Sequence, residues 1–165
     1  MPVVVSDTSP IRAMHSLGMI DVLPKLFGEV IVPRAVAGEL SQPAGVFEPI
    51  DISRFTGFRE KYPTDMALVA TLRDVLDAGE SEAIALCEEI RTTGNETTLL
   101  IDEALGREVA QGRGISVLGV AGILILAKKD GHVPLVIPLL MRLQQMHRFH
   151  LSAQVMERVR KMVGE

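Results

Sequence analysis

The chain has 165 residues, with 17 Lys and Arg against 21 Asp and Glu, for a net charge of −4. Hydrophobic residues make up 47% and charged residues 23%, which excludes a disordered tail, a collagen-like chain and a disulfide-stapled miniprotein. The acidic balance also argues against the simplest kind of nucleic-acid binder, one with a strongly basic surface. The length suits one domain over residues 1–165, able to bury a full core without covalent staples. Cys87 is the single cysteine, so no internal disulfide forms and a reducing, cytoplasmic location is expected. The start lacks a basic n-region, and the longest apolar run, 115–127, falls short of the about 20 residues a bilayer requires. Neither a signal peptide nor a membrane segment is expected.

Val3-Val4-Val5 is a short β-branched run that reads as a strand buried on both faces. Asp7-Thr8-Ser9-Pro10 then starts a helix that runs to about Leu17 and ends at Gly18. Ile20, Val22, Leu23 and Leu26 suggest a second short helical piece, broken at Pro24. Val30-Ile31-Val32 is a second buried strand, and Pro33 opens a helix with Val36 and Leu40 on one face. Residues 41–63 carry Pro43, Gly45, Pro49, Gly57 and Pro63 and read as loop, with 49–52 as a short edge strand. An apolar stripe from Met66 to Leu76 marks a helix ending before Gly79, and Glu80 begins another that reaches Gly94. A third strand covers 98–101, followed by a helix from Glu103 to about Gln111. A fourth strand covers 115–118, and Gly119 leads a helix to Lys129. Two more helices, about 136–146 and 152–162, fill a C-terminal region near 134–163. Short apolar strands alternating with helices predict an α/β fold with a parallel sheet covered on both faces.

Parallel sheets bind ligands outside the carboxyl ends of their strands. Asp7 follows the first strand, and Asp102, with Glu103 beside it, follows the third. Helix capping is the plainer role for either Asp alone. Glu39 lies beside the apolar face of its helix, with no basic residue at 35 or 36. Glu80 and Glu82 sit among Gly79, Ser81, Ala83 and Ala85, small residues that let another element approach closely. Two positions apart on a helix face about 200° from each other, so both glutamates reach one site only near the helix start. The sequence does not choose between them. Five gathered carboxylates repel unless a cation sits among them, and oxygen donors suit Mg²⁺ or Mn²⁺. The histidines and the lone cysteine have no zinc-ligand spacing.

These residues carry a resemblance. Val5-Ser6-Asp7-Thr8-Ser9-Pro10, Val32-Pro33-Arg34-Ala35-Val36-Ala37-Gly38-Glu39-Leu40, Leu76-Asp77-Ala78-Gly79-Glu80-Ser81-Glu82-Ala83-Ile84 and Leu100-Ile101-Asp102-Glu103 together resemble the PIN-domain superfamily of metal-dependent ribonucleases. The chain looks most like small prokaryotic PIN-like proteins related to VapC-type toxins. The resemblance implies a three-layer α/β/α sandwich around a central parallel sheet. It implies an endoribonuclease that hydrolyses phosphodiesters of single-stranded or structured RNA with Mg²⁺ or Mn²⁺. It implies Asp7, Glu39, Glu80, Glu82 and Asp102 as metal-binding acids. Of these, Asp7, Glu39, Glu82 and Asp102 are the implied catalytic set, with Ser9 and Glu103 as helpers. Glu80 and Glu82 resemble the paired glutamates of flap endonucleases. The implied partners, besides RNA, are an antitoxin protein and a second copy of the chain, with no membrane.

One departure stands out. Relatives commonly carry a hydroxyl residue in the glycine-flanked turn after the last strand, but here the turn is Gly119-Val120-Ala121-Gly122. Val120 motivates a second reading, a non-catalytic PIN-like protein that binds a partner protein or RNA. A phosphoryl-transfer protein fits poorly, since a dehalogenase-type phosphatase wants a second Asp where Ser9 stands, and no Gly-Lys-Ser/Thr loop exists. Arg142, Arg148, Arg158, Arg160 and Lys161, with His147 and His150, form a basic C-terminal segment that reads first as a solvated face. With no Trp, one Tyr and five Phe, no aromatic platform for RNA bases is visible. Setting the five proposed acids aside from the net charge of −4 leaves +1 for the rest of the chain. The acidity is then concentrated in the candidate site itself.

Overall fold

Four of the five strands are the apolar runs read above, and the three of them that lie inside the sheet are largely buried. The computed structural model describes every residue except Arg148 and the side chain of His147. The strands are β1 (Val3–Ser6), β2 (Val30–Pro33), β3 (Phe58–Lys61), β4 (Thr97–Leu100) and β5 (Ser116–Leu118). All pair in parallel, in the order β3-β2-β1-β4-β5. Among the described residues the helices are α1 (Thr8–Ser16), α2 (Val22–Phe27), α3 (Arg34–Leu40), α4 (Met66–Leu72), α5 (Ala78–Thr92), α6 (Ala104–Gly112), α7 (Val120–Lys129), α8 (Ile137–His147) and α9 (Ala153–Val163). No helix among the described residues is long and apolar enough to cross a membrane.

Alternation along each strand divides the core into two layers. Val4, Val30, Val32 and Leu100 face a cluster that includes Met14 of α1, Leu23 of α2, Leu124 of α7, Leu140 of α8 and Val159 of α9. Val5, Ile31 and Leu99 face the other way, against Val69 of α4, Ile84 and Leu86 of α5 and Ala110 of α6. The result is the expected α/β/α sandwich. The chain steps outward from β1 to β2 and β3, then returns across β1 to β4 and β5. The crevice between β1 and β4 is therefore a topological switch point, where the fold leaves room for a ligand.

Three local expectations differ. The edge strand is Phe58–Lys61, whereas Ile52–Arg54 is a single 3₁₀ turn with Ser53 N bonded to the Asp51 carboxylate. Only Phe58 of β3 is even half-buried, so the strand has no apolar run to announce it. Pro24 does not break α2, because it lies in the first turn, where a backbone N–H has no partner in any case. Pro33 closes β2, paired with Lys61, and α3 begins one residue later. Of the basic C-terminal segment, Arg142, Arg158 and Lys161 are exposed as expected of a solvated face. Arg148 and the His147 side chain lie outside the described residues.

Candidate functional site

Asp7 stands one residue beyond β1, its N–H bonded to the Leu100 carbonyl at 2.9 Å, so the β1–β4 ladder fixes its position. Its extended backbone starts α1, but its side chain does not cap that helix. Asp7 is only 4% exposed. It meets Glu39 of α3 across Gly79, the second residue of α5. A Cβ built on Gly79 would lie 2.9 Å from Glu39 Oε1 and 3.4 Å from Asp7 Oδ1. Glycine at this position is what lets both carboxylates close on the start of α5. Thr8 Oγ1 donates to Glu39 Oε2 at 2.6 Å. Arg12 Nη2 donates to the carbonyls of Glu39 and Gln42, at 2.8 and 3.2 Å, and pins the end of α3. Two residues of α1 thus set the position of Glu39.

Asp77 caps α5, its Oδ1 accepting from Glu80 N at 2.8 Å. The Glu80 side chain, 7% exposed, reaches toward the start of α6. Its carboxyl carbon lies 3.6 Å from where a Cβ on Gly106 would sit, with Glu103 Oε2 3.4 Å from the same point. Glu103 Oε2 in turn accepts from Gly106 N at 2.6 Å. Asp7, Glu39, Asp77, Glu80 and Glu103 therefore share one electrostatic neighbourhood. Burial foremost pushes the Asp7 carboxyl up to about 8; the Thr8 amide opposes it, and Glu80, Asp77 and Glu39 add smaller upward pushes. Burial, then Asp77 and Glu103, pushes Glu80 up to about 7.

The remaining candidates hold helix starts around this neighbourhood. Glu82, 6% exposed, accepts from Ala35 N of α3 at 3.0 Å. Of the two glutamates left open by the sequence, Glu80 points toward the start of α6 and its charge bears on Asp7, whereas Glu82 faces α3. Asp102 accepts from Val120 N at 3.0 and 3.3 Å, at the start of α7. A Cβ on Gly119 would collide with Asp102 Oδ1 at 2.6 Å. Burial raises the Asp102 carboxyl, while the Val120 amide and Arg107 oppose it. Val120 itself is fully buried in the core beside α1, so this turn carries a packing residue in place of a hydroxyl. Ser9, Asp102, Glu103, Arg107 and Leu118 line a cleft of about 640 Å³ that adjoins the acids. Ser9 therefore faces the cleft, while its neighbour Thr8 holds Glu39.

Sequence reading missed Asp77 and the Thr8–Glu39 bond. Asp77 three residues before Glu80 is a visible cap signal, but a cap signal does not show that its charge also bears on Asp7.

The donor chemistry fits a hard divalent cation: every candidate is a carboxylate, and two of them are buried with no compensating positive charge. Asp7 and Glu39 across Gly79 are the pair that could hold one. Mg²⁺ characteristically uses one or two carboxylates and keeps several waters. No three acidic, His or Cys side chains among the described residues converge closely enough to hold an ion by themselves.

No curated protein and no solved structure matches the chain. A family model of the PIN domain matches residues 3–165. With a parallel sheet of this order and acids gathered at its carboxyl edge, the chain belongs to the PIN-domain family, whose members are generally nucleases that use divalent metals.

Proposed function

We propose that the protein is a Mg²⁺- or Mn²⁺-dependent endoribonuclease whose site centres on Asp7, Glu39 and Glu80. The observation that carries this reading is the burial of two mutually repelling acids, Asp7 and Glu80, at the switch point of the sheet. Strongly perturbed acids in such a crevice are a functional signature, since packing alone favours apolar residues there. In this reading Asp7 and Glu39 supply oxygen donors, and Thr8 holds Glu39 in place. A divalent ion held by these residues would lower the pKa of a water and offset charge on the phosphodiester. Asp7 releases its proton when the ion binds, so affinity rises with pH. Glu80, at about 7, exchanges a proton near neutral pH in the metal-free protein, the range a general acid or base uses. Glu82 and Asp102 keep α3 and α7 oriented toward the crevice.

Cleavage of a single-stranded RNA by the wild type with Mn²⁺ tests the proposal. Asp7→Asn and Glu39→Gln should each lower the rate about 100-fold or more while far-UV circular dichroism stays unchanged. Full activity in either variant would overturn it. Binding without catalysis is the second reading, favoured by the apolar Val120 in the turn that faces Asp102. It requires that millimolar Mn²⁺ produce no binding heat.

A further inference from the structure

The single tyrosine of the chain lies just past the carboxyl end of β3, on the edge of the sheet. Tyr62 is 59% exposed, unusual for a ring that normally buries much of its area. The Arg34 guanidinium stacks 4.9 Å from its ring centroid. Arg34 is itself exposed, and no carboxylate among the described residues lies within ion-pair distance of it. Parallel pairing of Pro33 with Lys61 sets the two residues side by side, each one position beyond its strand. They stand on the same edge of the sheet as Asp7. β1, β2 and β3 are adjacent, so Tyr62 lies two strand spacings from the end of β1, roughly 10 Å at about 4.8 Å each. The next residue of α3, Ala35, is bonded to Glu82 of α5, which couples this corner to the acidic site.

An exposed aromatic face with an uncommitted guanidinium beside it is the arrangement that binds an unpaired base and its phosphate. The ring stacks the base whatever its identity, and the cation meets the backbone. A folded core gains nothing from leaving such a pair in water. We infer that Tyr62 and Arg34 form a stacking step for single-stranded RNA, positioning a nucleotide that flanks the one at Asp7. The inference rests on the ribonuclease reading for its substrate. It makes Tyr62 a positioning residue that acts by binding, so an unpaired strand should be preferred over a duplex, whose bases are already stacked.

The test uses a single-stranded oligoribonucleotide carrying 2-aminopurine, in EDTA and low salt, with fluorescence read on titration of the full chain. Wild type should quench the probe. Tyr62→Ala should lose the quench and weaken binding at least about fivefold, the lower end of base–aromatic stacking. Tyr62→Phe should retain both, and Arg34→Ala should lower the salt slope by about one. In Mn²⁺-dependent cleavage, Tyr62→Ala should raise KM and leave kcat unchanged. Equal quenching and KM in wild type and Tyr62→Ala would overturn the stacking step and leave the nuclease reading intact. Tyr62-dependent quenching without cleavage would support the stacking step and sink the nuclease reading. Absence of any binding by the wild type would overturn the inference.

Discussion

Stability of the metal-free protein should fall as pH rises from 5 to 8, the reverse of what paired surface carboxylates produce. Asp7 has an ordinary value of 3.8 and stands at about 8 in the fold. Between those limits the folded chain holds a proton that the unfolded chain has lost, so unfolding is favoured by each increase in pH. The Asp7 contribution is fully present below about pH 4 and is lost as pH rises toward 8. One such proton changes stability by about 1.4 kcal/mol per pH unit, or about 3 kcal/mol from pH 5 to 7. That is a large share of the ~5–15 kcal/mol that holds a typical domain. Glu80, raised to about 7, acts in the same direction. The two add less than twice the effect of one, because the Glu80 charge is itself part of what raises Asp7. Asp7→Asn removes the first proton and can still accept from the Thr8 amide. It should be more stable than wild type by several kcal/mol at pH 8 and close to it at pH 4–5. Urea unfolding at pH 5, 6, 7 and 8 in EDTA, followed by far-UV circular dichroism, reads this directly. A wild-type midpoint that is flat or rises across this range would refute the reasoning. So would an Asp7→Asn variant that keeps the wild-type pH slope.

Other substitutions separate the site from its supports. Gly79→Ala should preserve the fold, since alanine favours the helix by up to about 1 kcal/mol, but its methyl would displace Glu39 and lower Mn²⁺ affinity in calorimetry. Glu82→Ala leaves the half-buried Ala35 amide without its partner and should destabilise by about 1 kcal/mol in urea unfolding, whether or not metal is present. Glu165 accepts from Lys128 Nζ and from the amides of Val136 and Ile137, so Glu165→Ala should destabilise by ~1–3 kcal/mol without changing metal affinity.

How much the sequence reveals depends on where each residue finds its partner. β1, β2 and β4 are legible because strands inside a covered sheet are mostly apolar, and β5, though at the sheet edge and only partly buried, keeps Val117 and Leu118 as its signal. β3, reading Phe-Arg-Glu-Lys, pairs on one side only and stays in water, so its own residues do not mark it. Asp7 and Asp102 are legible from position alone, each at the end of a buried strand. Their environments are not. Asp7 meets Glu39 only because α3 and α5 pack together at Gly79, whereas Asp102 turns to an amide 18 residues away. Thr8 and Glu39 are 31 residues apart, and no local pattern joins them. Glu80 and Glu82 show the same limit. Helix geometry says that they diverge, but only the placement of α3 shows that Glu82 is taken up by the Ala35 amide and leaves Glu80 as the one whose charge bears on Asp7.

The central claim is that the buried acids at the switch point gather around a divalent cation. A crystal structure of the protein soaked in Mn²⁺, with anomalous scattering measured at the manganese edge, tests it most directly. The account predicts one anomalous peak bonded by Asp7 and Glu39 beside Gly79, within reach of Glu80, and absent in Asp7→Asn. A crystal saturated with Mn²⁺ that shows no peak there, or a peak that survives in Asp7→Asn, would contradict it.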